Sequence, residues 1–315
     1  QAQELAADLR TWLAPRPVRF SPSRGVAYES HLAPPPHLVG LRVAALDALL
    51  SWDAEAERSG AEPPVVVVSA VALSEKVPDP ELRPRPFMLR RGDLIDLEET
   101  AADLVAAGYE RVDQVEDRGQ FAIRGGILDV FPATEDHAVR VDLFDIEIEA
   151  LRHFSTFTQR SLGEVEEVEI APAAELAAEH RELAEIAAIS GADERPDVAQ
   201  LLPTDRFHAL LDLAPRDAVV LVAADEDVAP ALADHWQDVC AAFHDEDAHQ
   251  LYTSPADVAA ALDERCRLRL STLSSGQEFE FRAQAADVGA RSMAEAEPAL
   301  EQLVRSGYRT VAAFA

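Results

Sequence analysis

Residues 117–132 read DRGQFAIRGGILDVFP, and this stretch decides the fold of the middle of the chain. Two short apolar runs, 121–123 and 127–131, flank an Arg-Gly-Gly sequence. Apolar runs separated by a glycine pair are typical of two strands joined by a tight turn, because glycine readily adopts the positive φ that such turns need. The stretch therefore predicts a β-hairpin, with the charge of Arg124 at the end of its first strand.

The hairpin lies within a longer stretch in which apolar and polar residues alternate. Alternation with a period of two is typical of strands that bury one face, and short links between the runs favour antiparallel pairing. A helix precedes them, because Asp96 followed by Glu99 predicts a capped start and Gly108 predicts its end. We therefore predict an antiparallel β-rich domain. Its candidate strands are residues 111–114, 120–123, 126–131, 139–144, 147–154 and 166–170.

On both sides of this domain the pattern changes to helices that alternate with short apolar strands. Such alternation indicates α/β organisation with parallel strands. The candidate helices are residues 3–13, 37–51, 173–190, 198–213, 230–243, 254–262 and 295–307, and the candidate strands are 18–20, 65–69, 217–224, 268–273, 278–281 and 308–314.

These shifts in pattern divide the 315 residues into four predicted parts. Because the chain opens inside a helical pattern, we expect it to be a fragment of a longer protein. The predicted parts are residues 1–85, the first half of an α/β domain; 86–172, an inserted antiparallel β-rich α+β domain; 173–288, the second half of the α/β domain; and 289–315, the start of a following α/β unit.

The charge of the chain is strongly negative. Asp and Glu number 58 and Lys and Arg 28, which gives a net charge of −30. A field of that sign repels nucleic-acid phosphate, so we expect no autonomous DNA binding and interpret the acids as a solubilising face. No apolar run approaches the roughly 18 residues of a membrane span. Two cysteines without metal-ligand spacing fit a reducing cytoplasm.

No catalytic pattern emerges from the residues. Lys76 is the only lysine, and no glycine-rich phosphate loop surrounds it. Asp225 and Glu226 follow a strand as magnesium ligands can, but without a phosphate loop we interpret them as an exposed acidic loop. The histidines are scattered and no nucleophile elbow is present. We therefore expect this fragment to have no catalytic residues, cofactor or metal.

Several motifs in the β-rich stretch carry a resemblance to a known family. They resemble the UvrA-binding domain shared by UvrB and the transcription-repair coupling factors (Mfd), and FSTFTQRS at 154–161 resembles the latter more closely. The segments 22–23, 28–30 and 39–42 are similar to the coupling factors more weakly. The motifs are GYERVD at 108–113, RGQF at 118–121, RGGILDVFP at 124–132, VRVDLF at 139–144 and DIEIE at 145–149.

The resemblance implies a fold and a set of partners. The chain is interpreted as the N-terminal UvrB-like module of a coupling factor: a degenerate RecA-like helicase domain in two sequence halves, with the UvrA-interaction domain inserted. Loss of the nucleotide site in this family agrees with the solitary Lys76. Such a module recruits UvrA, and intramolecular contacts mask its surface in the full-length protein. The family's translocase motor and its contacts to RNA polymerase and DNA would lie outside this chain.

The resemblance also implies which residues contact UvrA. Two UvrB arginines match Arg111 and Arg124, whereas a third falls on Ala122, so one contact is in doubt. We expect Arg111 and Arg124, with Phe121 as an apolar companion, to bind acidic groups on UvrA.

Three alternatives stay open. From the residues alone, the two arginines could simply balance Asp113, Glu116 and Asp129 across strands. The chain could instead be a fragment of a UvrB-type ATP-dependent DNA helicase, which would bind nucleotide, or a purely structural spacer, which would have no affinity for UvrA.

Overall fold

The computed structural model describes residues 1–28, 34–52, 60, 62–178, 180, 202–243, 248–271, 279 and 293–307. The helices in these residues are α1 Ala2–Leu13, α2 Pro36–Leu50, α3 Ala70–Ser74, α4 Leu97–Ala106, α5 Leu210–Leu213, α6 Asp225–Phe243, α7 Pro255–Arg265 and α8 Met293–Arg305. The strands are β1 Val18–Ser21, β2 Val65–Val68, β3 Val77–Pro78, β4 Phe87–Arg90, β5 Glu110–Arg111, β6 Gln120–Arg124, β7 Ile127–Val130, β8 Ala138–Phe144, β9 Glu147–Phe154, β10 Ser161–Val165, β11 Glu167–Ile170, β12 Phe207–His208, β13 Val220–Val222 and β14 Cys266–Arg269.

The mixed α/β class is confirmed, and the predicted parallel pairing is observed on both sides of the β-rich part. β1 pairs in parallel with β2, and β13 pairs in parallel with β14. Helix α1 packs on the first pair through Ala6, which is fully buried against Val18 and Val67. None of the described helices is both long and apolar enough to cross a membrane. The degenerate RecA-like arrangement and the bounds of the four predicted parts stay predictions.

The predicted β-rich domain is a six-stranded sheet in the order β10-β9-β8-β7-β6-β5. All neighbours in it pair antiparallel except β5, which runs parallel to β6. Helix α4 covers one face, and its Leu104 is fully buried with Phe121, Leu128 and Ile148 in the main core of this domain. Asp96 caps α4 as predicted, since its carboxylate accepts hydrogen bonds from the Glu98 and Glu99 amides. Because its core is well packed, the sheet holds the turns at its ends in fixed positions.

Two short strands of this region are missing from the sequence-based predictions. The first is β4, which pairs with the predicted strand β11, and the second is β10, which forms the edge of the large sheet. β10 is almost wholly exposed and its pairing with β9 is irregular at Gly163, so no clean alternation marks it in the sequence.

The predicted helix at 198–213 is wrong for residues 202–209 and is confirmed only for 210–213, within its described part, residues 202–213. These residues form a 3₁₀ turn, the strand β12 and the four-residue helix α5. β12 pairs antiparallel with β3, and Phe207 is buried beside Tyr28 and Tyr252. Pairing with a strand that is distant in the sequence has overridden the local helical pattern.

Chain packing separates residues 1–270 from residues 271–315 as two compact units. In the second unit α8 matches the predicted helix at 295–307. The predicted strand at 308–314 lies outside the described residues, as do the strand predicted at 278–281 apart from residue 279 and the helix predicted at 173–190 apart from residues 173–178 and 180. The prediction of helix is wrong for residues 173–177, which are not helical.

Candidate protein-docking site

A tight hairpin turn places Arg124 at the edge of the sheet. Arg124 pairs with Ile127 across Gly125 and Gly126, and of the two glycines only Gly125 has a positive φ, 61°. A glycine with positive φ at the first turn position is typical of the type II′ turn, whose twist matches that of paired strands. The predicted hairpin is confirmed, and the Arg124 side chain keeps 52% of its surface exposed.

The sheet brings the second predicted arginine beside the first. Arg111 ends β5 and lies opposite Phe121 of the neighbouring β6. Arg111 and Arg124 therefore line one shallow cleft of about 780 Å³, whose remaining walls are Val112, Asp113 and Ile123. The cleft thus carries two guanidinium groups, two aliphatic side chains and one carboxylate, that of Asp113. It is suited to a carboxylate-bearing partner, because each guanidinium can donate two parallel hydrogen bonds to a carboxylate.

Arg124 is not locked into an internal ion pair. The nearest carboxylate, Asp129, is 4% exposed and is held by Arg140, whose Nε and Nη2 donate to its two oxygens at 2.6 and 2.8 Å. These hydrogen bonds raise the pKa of Arg140 above its ordinary value. Arg124 Nη2 stays 3.9 Å from Asp129. Because Arg140 already neutralises Asp129, most of the donors of Arg124 are free for a partner.

Within the described part of the chain, the guanidinium of Arg111 makes neither a hydrogen bond nor an ion pair, and Arg111 is exposed. The alternative in which acids across the strands balance both arginines is therefore weak. Only the long contact between Arg124 and Asp129 supports it.

The expectation that Phe121 is presented to a partner is wrong. Its side chain is fully buried under α4, because Phe121 and Ile123 point to the core side of β6. Ala122 is also buried, in a small cluster on the opposite side of the strand with Phe131 and Phe154. Because Ala122 is 2% exposed, it offers no side chain to a partner at this position.

An exposed aromatic residue that was not predicted from the sequence lies at the same end of the sheet as the hairpin turn. Phe144 is 76% exposed on the β8–β9 turn, and this turn is adjacent to the hairpin turn because the Leu143 amide donates to the Gly126 carbonyl at 2.8 Å. Ile146 and Leu94 extend the exposed apolar surface, since the Ile95 amide donates to the Ile146 carbonyl. We call Leu94, Phe144 and Ile146 the apolar platform. The signal in the sequence was an aromatic residue directly before Asp145, a turn residue with a φ of 59°.

Further charges lie on the same face of the sheet as Arg124. Asp129, Arg140 and Arg152 are in register on β7, β8 and β9, and Arg152 donates to Asp142. Arg140 also stacks over the Phe154 ring at 4.6 Å. These charges pair with one another, so this part of the sheet surface next to Arg124 is charged and held in place by its ion pairs.

Comparison with known proteins identifies the domain that contains the cleft. Residues 87–176 match the family model of the UvrB interaction domain, and every residue of the cleft and of the apolar platform lies within them. Transcription-repair coupling factors are 32% identical over 177 residues in Bacillus subtilis and 34% over 239 residues in Mycobacterium tuberculosis. The chain is related to the transcription-repair coupling factors.

The match covers a small part of each relative. It covers 56% of this chain and 14% of the Bacillus coupling factor, and 70% and 19% for the Mycobacterium one. The Escherichia coli coupling factor is 37% identical over 112 residues, which are 35% of this chain and 10% of that protein. The matched part of the chain thus spans less than a fifth of the length of these coupling factors. The resemblance inferred from the motifs is confirmed.

Proposed function

We propose that this chain is the module through which a transcription-repair coupling factor docks UvrA and so recruits excision repair to stalled RNA polymerase. The observation that carries the proposal is the cleft: Arg111 and Arg124, inside the UvrB interaction domain, are exposed and line the same cleft. Among the described residues, their one ion pair is the 3.9 Å contact between Arg124 and Asp129. Contacts to RNA polymerase and DNA, and contacts that mask the cleft, belong in this proposal to other parts of the longer protein.

The docking mechanism follows from the chemistry of the cleft. Carboxylates of UvrA accept hydrogen bonds from the two guanidinium groups, while the apolar platform packs against an apolar patch next to them. Arginine and aromatic residues are the side chains that most often dominate binding energy in protein interfaces. Because a packed sheet already holds the cleft, little conformational entropy is lost on binding.

A charge-reversal titration tests the proposal. Arg124→Glu is expected to weaken UvrA binding by about fivefold to 150-fold, which corresponds to roughly 1–3 kcal/mol for losing a central anchor. The matched control is Arg216→Glu, because Arg216 is exposed and lies outside the interaction domain, residues 87–176. Isothermal titration against UvrA measures both. Equal affinity for wild type and Arg124→Glu would remove Arg124 from the interface.

The helicase alternative would need a nucleotide site in the first α/β unit, and one local feature speaks against it. Phosphates bind at helix N-termini through free backbone N–H groups. The helix after β1, α2, starts at Pro36 and follows Pro34 and Pro35, none of which has an N–H group. A Cβ atom at Gly119 would lie 2.5 Å from the Cβ of Pro36, so the inserted domain closes this helix end.

We therefore propose that the fragment has neither ATPase activity nor a bound cofactor. Adding Mg-ATP is expected to leave its melting temperature unchanged, and a clear upward shift would favour the helicase alternative. The spacer alternative is distinguished by UvrA itself, since a spacer would show no affinity in the same titration.

A further inference from the structure

We propose that Glu175 is a positioning residue, which through Arg24 and Arg42 locks the interaction domain in one orientation on the α/β body. The functional role of this lock rests on the proposed docking of UvrA, because the orientation of the interaction domain sets the direction in which a docked UvrA is held. The contacts that form the lock do not involve the cleft.

The lock is a cluster of four buried charges. Glu175 accepts hydrogen bonds from Arg24 Nε and Arg42 Nε, both at 2.6 Å, and Arg42 Nη1 donates to Glu75 at 2.7 Å. The side chains of Arg42, Glu75 and Glu175 are at most 8% exposed and that of Arg24 is 12% exposed. The Arg24 guanidinium also lies 3.8 Å from the centre of the Tyr28 ring. We call these four charged residues the ionic lock.

Glu175 lies at the point where the chain leaves the interaction domain. Two residues before it, Ala173 packs in the core of that domain, and one residue after it, Leu176 packs in the core of the body with Tyr28 and Tyr252. The partners of Glu175 all belong to the body: Arg24 follows β1, Arg42 is on α2, and Arg42 in turn binds Glu75 after α3. The charge of Glu175 therefore joins the two parts of the fold at their junction.

The pKa of Glu175 is consistent with a carboxylate that stays charged. Burial alone would raise its pKa, but the guanidinium groups of Arg42 and Arg24 outweigh burial and lower it to about 2. Arg42 Nη2 is buried without a hydrogen-bond partner in the described residues. Buried ion pairs are a weak source of net stability, and their best-attested use is to fix one arrangement against others. An imperfectly satisfied cluster at a junction fits that use.

Close backbone contacts complete the junction. A Cβ atom at Gly40 of α2 would lie 2.7 Å from the Cβ of Ala133, and one at Gly119 would lie 2.5 Å from Pro36. The Ala177 amide donates to the Leu82 carbonyl at 2.8 Å, so the segment that leaves the interaction domain is bonded to the segment that enters it. Small-residue contacts fix the distance between the two parts, and the directional bonds of the ionic lock oppose rotation about these contacts.

Spin-label distances in the whole 315-residue chain test the lock. Trp12→Cys on α1 and Phe157→Cys on the interaction domain are suitable label sites, because these side chains are 57% and 96% exposed. Cys240→Ser and Cys266→Ala remove the native thiols. The wild-type background is expected to give one narrow distance distribution. Glu175→Gln is expected to broaden it or add a second maximum.

Controls separate orientation from stability. Glu167→Gln makes the same chemical change in an exposed ion pair with Arg90, and Ile148→Val lowers stability inside the interaction domain away from the junction. Both are expected to keep the narrow distribution. If Glu175→Gln does not fold, Arg24→Gln replaces it, because Arg42 still pairs with Glu175.

Two outcomes decide the proposal. A broadened distribution in Glu175→Gln or Arg24→Gln, with both controls narrow, supports the lock. Distributions as narrow as wild type in the folded lock variants overturn it. The distance measurement needs no UvrA, so failure of the docking proposal through Arg124→Glu would leave the lock standing.

Discussion

At the scale of single residues, the neighbours of an arginine decide whether it can bind a partner. Arg140 and Arg124 both lie near Asp129, but only Arg140 makes the short bidentate pair. The motif resemblance predicted that Arg111 and Arg124 act together, and the parallel pairing of β5 with β6 places them in one cleft. Which of the apolar neighbours faces outward could not be predicted, because a buried cluster on each side of β6 hides both Phe121 and Ala122.

The two phenylalanines give a contrasting pair of predictions. Phe121→Ala is expected to lower the free energy of unfolding by about 3–5 kcal/mol, because it opens a cavity in the core. Phe144→Ala is expected to change stability little and to weaken UvrA binding, because Phe144 is 76% exposed. Urea unfolding followed by circular dichroism measures the first effect and titration with UvrA the second. A large loss of stability in Phe144→Ala would contradict the apolar platform.

The ionic lock predicts a pH dependence with a definite sign. The pKa of Glu175 is lowered from an ordinary 4.5 to about 2, so its contribution to stability is fully present above about pH 4.5 and is lost as the pH falls towards 2. Breaking the cluster by Glu175→Gln is expected to cost about 3–5 kcal/mol at neutral pH. Urea unfolding of both proteins from pH 7 to pH 2.5 should show the difference shrinking below pH 4.5. A difference independent of pH would mean that the charge of Glu175 is not what stabilises the fold.

At the scale of elements, local signals were readable and distant ones were not. The hairpin and the capped helix α4 follow from their own residues, and both are observed. β12 was predicted as helix because its pairing with β3 joins residues that are well over a hundred positions apart. The exposed edge strand β10 escaped for a different reason, since nothing buries one of its faces regularly. The ionic lock could not be foreseen either, because its charges come from four separate segments.

The hairpin turn makes a testable element of its own. Gly125→Ala is expected to destabilise the protein by about 1–2 kcal/mol, because a side chain at positive φ is strained even though no atom lies within 4 Å of the new Cβ. Gly163→Ala is the control, since that position is equally open but has no positive φ. Thermal unfolding compares the two. Equal melting temperatures would show that the turn tolerates a different geometry.

At the scale of the whole molecule, the net charge of −30 limits what the chain can bind through long-range attraction. Phosphate backbones are repelled, so a partner has to be recognised through short-range contacts at the cleft. We expect no change in the fluorescence anisotropy of a labelled DNA duplex on adding the chain, even at about 50 mM salt, where electrostatic binding is strongest. Salt-sensitive binding under these conditions would show that a local basic surface outweighs the overall field.

The close contact between Gly40 and Ala133 makes the orientation of the interaction domain sensitive to one added methyl group. A Cβ atom added at position 40 would lie 2.7 Å from the Ala133 Cβ, closer than two non-bonded carbon atoms can approach. To relieve this overlap, helix α2 and the interaction domain would have to move apart. Gly40→Ala on α2 would therefore change the orientation of the cleft relative to the α/β body without contacting the cleft.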